Sequence, residues 1–351
     1  MIRRINKNEF AKVISFANEQ FLVDFKSVHP AIYGDSSNYK YHYIYEENNE
    51  IIGMFLAKPL IYKEVSFLGI GTLCVRKDMR NHNVMQEMFK YIKNNLEKEY
   101  DVIYLLGDRK RYENFNFFKF GTFANVKVKS KYITNSIEEV KIQEIKDINN
   151  QLFAIIKKYD CVKREKDTVL NIYKGSNNTL YLVSEKKSQS IVIYNKINNE
   201  IINIFGNVNE EKVIKKVINN SEKEYVNIFV DYSKMKTLYE LSDKYIISNM
   251  LSLKIINYPK VIKKLFVYEG NRYGTLELKL AFKTISISYI KGILSVDVRN
   301  EINQEYMSES EISNILFGNL YFNISSDVDI NLVTSWFPLS ISNTLVNIDG
   351  V

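Results

Sequence analysis

The segment Arg80-Asn81-His82-Asn83-Val84-Met85 has the residue types and the position of a phosphate-binding loop. It follows an apolar run at about 64–76 and precedes a segment with apolar residues at helical spacing: Met85, Met88, Phe89, Ile92 and Leu96. Amide groups at a helix N-terminus, with the positive end of the helix dipole, hold phosphate oxygens. Asn83 tolerates the positive φ that such a turn needs, although its side chain leaves less room for a phosphate to approach the loop. Taken alone, the segment is also explained by an ordinary surface turn.

A second candidate is Tyr112, which follows the basic run Asp108-Arg109-Lys110-Arg111 at the end of a strand-like segment, 101–107. A tyrosine has a reference pKa of about 10, so it is protonated at neutral pH and can donate a proton to a developing anion. The chain contains 25 tyrosines, so a structural role is the simpler interpretation of Tyr112 considered by itself.

Length and composition predict an ordinary globular protein of two or three domains. The chain has 351 residues, of which 46% are hydrophobic and 25% charged. Its formal net charge of +7 is spread along the sequence, which does not favour nucleic-acid binding. An apolar run of membrane-spanning length and an apolar signal segment are both absent from the sequence, so we expect a soluble, cytoplasmic protein without membrane insertion.

The two cysteines, Cys74 and Cys161, have no CxxC partner and no histidine cluster close in sequence. A disulfide or zinc framework is therefore not expected, and we predict no metal site. Cys74 lies in the apolar run Thr72-Leu73-Cys74-Val75, which is typical of a buried thiol without chemistry of its own.

The elements around the two candidates follow the order helix, hairpin, strand, helix, strand. The hairpin turns at Glu46–Glu50, the strand covers 64–76, and the later helix and strand start near 84 and 101. A fainter copy of this order runs from Val140 through a hairpin at 189–205, a helix at 210–220 and a strand at 225–230, without a counterpart of the Arg80 loop or Tyr112. Alternating strands at 275–282, 284–289 and 292–298 then precede a helix at 308–318 with a capping box from Ser308 to Glu311.

These features together resemble the Eis-like branch of the GNAT superfamily of N-acetyltransferases. Its R-x-R-Y-x-x-F-G-[FY] pattern is matched from Arg109 to Phe117, with Asn116 in place of the glycine. Further similar segments are 23–34, 50–53, 69–71, 311–318, 335–340 and 347–351. The resemblance implies an α+β fold of two tandem GNAT-like mixed-sheet domains, 1–138 and 139–266, the second without cofactor motifs. A small α+β domain similar to sterol carrier protein type 2 would then occupy 267–351.

The resemblance also implies an acetyl-CoA-dependent acyltransferase, with acetyl-CoA as co-substrate and direct transfer to an amine. Tyr112 aligns with the family's general acid, and the C-terminal carboxylate, here that of Val351, would act as base, with Asp349 as a substitute. Backbone groups at Leu73, Cys74 and Val75 would receive the pantetheine arm. The pyrophosphate would lie on Arg80, Asn81, His82, Asn83, Val84 and Met85.

The acceptor is expected to be a primary amine of an aminoglycoside, a polyamine, or a lysine in a peptide. Carboxylates and rings hold such cations, and the candidates are Asp24, Phe25, Tyr33 and Glu113. The family favours a homo-oligomer, specifically a hexamer. Two alternatives stay open: a degenerate, non-catalytic binding or regulatory protein, because Asn81, Asn83 and Asn116 replace the glycines that the family has, and a lipid carrier suggested by the C-terminal segment.

Overall fold

A computed structural model describes residues 1–107, 110–120, 123–160, 162, 166, 177–231, 238–248, 251–266, 272–317, 329–337 and 339. Within these residues the chain forms two seven-stranded mixed sheets and one three-stranded sheet, with helices packed on them. The fold class is α+β, as the sequence predicted.

The first sheet contains the two candidate segments. Its strands are β1 (Ile2–Arg4), β2 (His42–Glu47), β3 (Glu50–Tyr62), β4 (Val65–Val75), β5 (Val102–Leu106), β6 (Phe118–Phe120) and β14 (Leu251–Ile255). They lie in the order β1-β2-β3-β4-β5-β14-β6. Only β4 and β5 pair in parallel, and the other neighbours are antiparallel.

The second sheet repeats the strand order and directions of the first. Its strands are β7 (Phe123–Lys129), β8 (Lys141–Ile145), β9 (Asn178–Glu185), β10 (Ser188–Asn195), β11 (Glu200–Gly206), β12 (Tyr225–Asp231) and β13 (Ser242–Ser248). In the order β8-β9-β10-β11-β12-β7-β13, only the central pair β11–β12 is parallel. The two sheets exchange one strand, because β7 joins the second sheet and β14 returns to the first. The exchange crosses the predicted domain boundary at 138.

Helices cover both faces of the first sheet. The helices α1 (Phe10–Phe21), α2 (Phe25–Val28) and α3 (Pro30–Tyr33) pack on one face, where α1 shares a core with Val65 and Phe67 of β4. The helix α4 (Val84–Asn95) packs on the other face, in a core with Leu68 and Ile70. The alternation of side chains along β4 therefore supplies apolar residues to both layers.

The remaining helices are α5 (Asn150–Tyr159), α6 (Glu210–Ser221), α7 (Tyr258–Leu265), α8 (Glu309–Phe317) and α9 (Ile330–Trp336). The third sheet consists of β15 (Gly274–Leu280), β16 (Lys283–Ile290) and β17 (Ile293–Arg299), all antiparallel. The predicted capping box at α8 is confirmed, since Glu311 N donates to Ser308 Oγ and Ser308 N donates to the Glu311 carboxylate. Among the described residues, none of the helices is both long and apolar enough to cross a membrane.

Candidate cofactor and catalytic site

A β-bulge shapes the end of β4 that leads to the Arg80 loop. Leu56 pairs with Gly71, but Met54 pairs with Cys74, so β4 has one extra residue over this stretch. Thr72 has φ 41°, a strained value for a β-branched residue. As a result Leu73 and Val75 lie on the α4 face with Ile70, whereas Cys74 joins the core under α1.

Strands β4 and β5 separate just before this bulge. Their parallel pairing runs only from Phe67 with Val102 to Ile70 with Leu105. Strand β4 continues to Val75, so its last residues have no partner on β5. The β5 side of the backbone at Leu73, Cys74 and Val75 is thus unpaired with β5, and we refer to this gap as the cleft between the two strands.

The loop after β4 has the backbone geometry of a glycine-containing turn without its glycines. Asn81 has φ 69° and Asn83 has φ 59° and ψ 10°, both left-handed. The side chain of Asn83 makes no capping hydrogen bond to α4, and the first backbone bond across this helix end runs from Glu87 N to Asn83 O. No acceptor within the described chain bonds the amides of Val84 and Met85, which are therefore available to a ligand.

The other predicted loop residues surround this helix end. Arg80 and His82 are exposed, while Val84 is buried and Met85 half-buried. Arg80 Nε lies 3.5 Å from Val75 O, at the limit of a hydrogen bond. The structure therefore brings the predicted loop residues and the end of β4 together.

Gly53 on β3 allows the first turns of α4 to approach the sheet. It pairs with Val75, and a Cβ added there would meet Met88 Sδ and Val84 Cγ1, each at 3.1 Å. A side chain at this position would push the N-terminal half of α4 outward. Gly53 thereby helps to fix the position of the open helix end relative to β4.

The equivalent helix of the second sheet begins differently. Helix α6 follows β11, as α4 follows β4, but its N-cap Asn209 has φ −52° and accepts from Lys212 N at 3.1 Å. The N-caps of α5 and α7, Asn149 and Asn257, bond their helices in the same way. Helix α4 alone among these four has an asparagine N-cap without that bond.

Tyr112 lies on the α4 face of the first sheet, in a 3-10 helix at Lys110–Phe115. Its side chain is 7% exposed and belongs to the same apolar cluster as Val75 and Val84. The ring meets Phe89 edge-on at 6.2 Å, and the Arg111 guanidinium lies 6.0 Å from the ring centroid. The structure therefore places Tyr112 in the layer that contains the open end of α4.

Asn116, which replaces the third glycine of the resemblance, also has a left-handed φ of 62°. The turn that it forms is closed by a bond from Phe117 N to Tyr112 O. Phe115 stacks on Phe89 at 3.9 Å and so fixes this 3-10 helix against α4. All three asparagines at expected glycine positions, Asn81, Asn83 and Asn116, thus adopt the conformation for which glycine is normally used.

A groove between α4 and this 3-10 helix was missed by the sequence reasoning. It encloses about 260 Å³ and is lined by Gln86, Lys90 and Lys93 on one side and by Asn114–Phe117 on the other. Lys90 lies 3.8 Å from Glu87, whereas Lys93 has no ion pair with a described residue. The sequence signal for this groove was the spacing of the two lysines, because residues three apart lie on the same side of a helix.

The four predicted acceptor residues are divided between the two faces of the sheet. Asp24 is exposed and caps α2, accepting from Lys26 N at 3.2 Å and from the Ser27 hydroxyl, which lowers the pKa of its carboxyl. Phe25 is half-buried and contacts Tyr33 at 4.8 Å. Tyr33 is 1% exposed, and burial raises its pKa. Glu113 is exposed beside Tyr112 on the opposite face.

Cys74 is 8% exposed, and burial raises the pKa of its thiol to about 12. Its thiol is therefore unsuited to nucleophilic attack at neutral pH, and only its backbone borders the cleft. Val351, Asp349 and Cys161 lie outside the described residues.

Comparison with solved structures places this geometry in a known fold. A GCN5-related N-acetyltransferase from Anabaena variabilis matches with a TM-score of 0.67 at 13% identity, covering 90% of this chain and 89% of that one. Eis1 from Mycobacterium abscessus matches with a TM-score of 0.66 at 10% identity, covering 91% of this chain and 90% of that one. The chain has the GNAT fold.

A GCN5-related N-acetyltransferase from Kribbella flavida gives a similar result, with a TM-score of 0.65 at 10% identity and coverage of 90% and 88%. No protein-family model matches the sequence, and no curated protein matches it. The likeness shows that the chain shares the fold of these GNAT proteins, with alignments that cover about 90% of it. The activity has to be argued from the site itself.

Proposed function

We propose that this chain is an acetyl-CoA-dependent N-acetyltransferase that acts on a primary amine. The observation that carries the proposal is the left-handed Asn83 at the open N-terminus of α4, directly after the bulged end of β4. This arrangement offers unbonded amides and the positive end of a helix dipole to a phosphate. The equivalent helix α6 differs, because Asn209 accepts a hydrogen bond from Lys212 N in its first turn.

The described residues fit acetyl-CoA in three successive parts. The amides of Val84 and Met85 would hold the pyrophosphate, and the backbone of Leu73–Val75 would bond the pantetheine arm in the cleft between β4 and β5. The groove with Lys90 and Lys93 is suited to the nucleotide end, because ammonium groups attract its 3′-phosphate. Acetyl-CoA would supply an activated acetyl group as a thioester.

Transfer then requires a free amine and a proton for the thiolate. The amine nitrogen attacks the thioester carbonyl, the carbon–sulfur bond breaks, and Tyr112 donates its phenol proton to the departing sulfur. Backbone amides along Leu73–Val75 would stabilise the carbonyl oxygen as it becomes negative. The proton lost by the amine would pass to the carboxylate of Val351, or to that of Asp349, directly or through water.

The acceptor would be a polyamine, an aminoglycoside or a lysine-like amine. Asp24 and Glu113 are exposed and can bind an ammonium group, and Phe25 presents a half-buried ring. Tyr33 would serve by supporting Phe25, because its own ring is buried. The two carboxylates belong to different faces of the sheet, so each is a separate candidate for binding the amine.

The repeated strand order supports two tandem GNAT units, of which only the first has an open helix end. The described part of the C-terminal segment, with β15–β17, α8 and α9, would be the domain similar to sterol carrier protein type 2. It would serve as an accessory to the enzyme rather than as a lipid carrier. We also propose that the protein is a cytoplasmic homo-oligomer. The resemblance to the Eis-like family favours a hexamer.

Calorimetric titration with acetyl-CoA tests the proposal. The wild type should bind at micromolar concentration, and Asn83→Val should weaken binding by about tenfold or more, because a β-branched residue resists φ 59°. Asn49→Val is the matched control, since Asn49 has φ 65° in the β2–β3 turn, away from α4. Absence of wild-type binding would support the degenerate, non-catalytic protein instead. Equal binding by Asn83→Val would exclude this loop as the phosphate site.

A further inference from the structure

A second cavity lies at the other end of α4. It encloses about 450 Å³ between the C-terminal turn of α4 and strands β1–β4. Among its lining residues are Arg4, Lys40, Tyr43, Tyr91, Glu99 and Tyr100. Helix α4 has 12 residues, so at about 1.5 Å per residue this cavity lies roughly 18 Å from Asn83. It is therefore separate from the proposed acetyl-CoA site.

Arg4, Lys40 and Glu99 are exposed at this cavity, and none of them forms an ion pair with a described residue. Arg4 donates to the Tyr43 hydroxyl from Nη2 at 2.9 Å and forms no ion pair. Its neighbour Arg3, in contrast, binds both Glu9 and Glu46. The Lys40 ammonium lies 5.1 Å from the Tyr41 ring centroid, and although its charge helps to lower the pKa of Asp35, it forms no ion pair with a described residue. Charges of both signs thus border one space without neutralising each other.

The walls of the cavity combine aromatic rings with an apolar floor. Tyr91 and Tyr100 are half-buried in this wall, and burial raises the pKa of both. The charge of Glu99 further raises the pKa of Tyr100, whereas the charge of Arg4 lowers it. Ala57, Pro59 and Leu68 from the sheet complete the lining.

We propose that this cavity binds a small zwitterion, specifically a free α-amino acid with an apolar or aromatic side chain. Arg4 and Lys40 would bind the carboxylate, and Glu99, with the carbonyl end of α4, would bind the ammonium group. The tyrosine rings and the apolar floor would contact the side chain. The volume lies within the range of small-molecule sites.

The charge pattern favours a zwitterion over the simpler ligands. A plain anion would meet Arg4 and Lys40, but it would be repelled by Glu99 and by the negative end of the α4 dipole. A plain cation would be repelled by the two basic groups. A ligand with both charges neutralises the groups that the protein leaves unpaired.

The test compares L-phenylalanine with its two half-molecules, 3-phenylpropionate and phenethylamine, by calorimetric titration of the full chain. Phenylalanine should bind, and the affinity for each half-molecule should be lower by about tenfold or more. Equal binding of phenylpropionate would show a simple anion site and overturn the proposal. Absence of phenylalanine binding at about 10 mM would also overturn it.

Substitutions in the cavity wall test whether phenylalanine binds there. Arg4→Gln should reduce phenylalanine affinity about tenfold, and Glu99→Gln should remove the preference for phenylalanine over phenylpropionate. Lys12→Gln removes an exposed charge on α1 and should change neither the phenylalanine affinity nor the preference for phenylalanine over phenylpropionate. Circular dichroism of each variant checks that the fold is kept, and Tyr100→Phe provides a second, milder change in the same wall.

The site should also be independent of the proposed acetyl-CoA site. Saturation with CoA should leave phenylalanine affinity unchanged. Competition between the two ligands would place phenylalanine in the cleft of β4 and overturn the assignment. Phenylalanine binding alone would not support the acetyltransferase proposal, so the two proposals can fail separately.

Discussion

Asn83 and Asn209 begin equivalent helices in two sheets of the same strand order, yet φ is positive at Asn83 and negative at Asn209. Asn209 uses its side chain to cap α6, while Asn83 adopts φ 59° and leaves the end of α4 uncapped. An asparagine therefore caps the helix in the second sheet, whereas an asparagine at the equivalent position of the first sheet leaves the helix end uncapped. This difference separates the proposed cofactor site from its structural copy.

Asn209→Ala should destabilise the protein by about 1 kcal/mol, because it removes the bond from Lys212 N. Acetyl-CoA affinity should not change. Asn83→Gly should leave stability unchanged and bind acetyl-CoA as tightly as the wild type or more tightly, since glycine accepts positive φ and has no side chain near the phosphate. Urea denaturation and calorimetry measure both effects. Weaker binding by Asn83→Gly would mean that the asparagine side chain itself contacts the ligand.

Lys93→Gln should weaken acetyl-CoA binding by about two- to fivefold, the range for a partly solvated ion contact. The same variant should not alter the affinity for dephospho-CoA, which lacks the 3′-phosphate. Lys98→Gln, at an exposed position just after α4, serves as the control. An equal loss for both ligands would place the 3′-phosphate elsewhere.

His42 should make the stability of the fold depend on pH. Its ring is 0% exposed between Phe10 and Tyr33, and Nδ1 lies 3.0 Å from Asn38 O. Burial lowers its pKa to about 4, from 6.5 in the unfolded chain. The unfolded state therefore binds more protons between these values, and stability present above pH 6.5 is lost as the pH falls.

The loss assigned to His42 between pH 7.5 and pH 5 is about 2 kcal/mol, from the two pKa values. Urea denaturation at both pH values should show this difference in the wild type and lack it in His42→Gln. His82→Gln, at an exposed position, should behave as the wild type. A pH dependence unchanged in His42→Gln would contradict the assignment, and His29, whose pKa burial also lowers, would be tested next.

Gly53→Ala should weaken the packing of α4 on the sheet. The added methyl group would lie 3.1 Å from Met88 Sδ and Val84 Cγ1, which requires a small outward shift of both side chains. We expect a loss of about 1–3 kcal/mol in the free energy of unfolding, typical of an overpacked core, measured by urea denaturation. Acetyl-CoA affinity should fall as well, because Val84 begins the helix that holds the phosphate. An unchanged free energy of unfolding would show that Met88 adapts without cost.

Local patterns predicted most elements correctly. The hairpin at Glu46–Glu50, strands β4 and β5, helix α4 and the capping box at Ser308 all follow from periodicity and cap chemistry over a few residues. The resemblance located the Arg80 loop and Tyr112, which the structure places in one layer with α4.

Long-range features could not be predicted from the sequence. The pairing of Leu251 with Leu106 depends on sheet register between distant segments, and local sequence carries no signal for it. The bulge at Thr72 is likewise decided by tertiary context, since a threonine ordinarily indicates regular strand. The second cavity was missed because Arg4, Lys40 and Glu99 are far apart in sequence.

The most direct test of the central proposal is CoA release from acetyl-CoA, followed by thiol detection, with spermidine and kanamycin as amines. The wild type should release CoA only with an amine and transfer one acetyl group to it, as shown by mass spectrometry. Tyr112→Phe should lower the rate about 100-fold or more without weakening acetyl-CoA binding, while Tyr306→Phe, an exposed control, should not. Equal rates for Tyr112→Phe and the wild type, or acetyl-CoA binding without any amine-dependent release, would contradict the account.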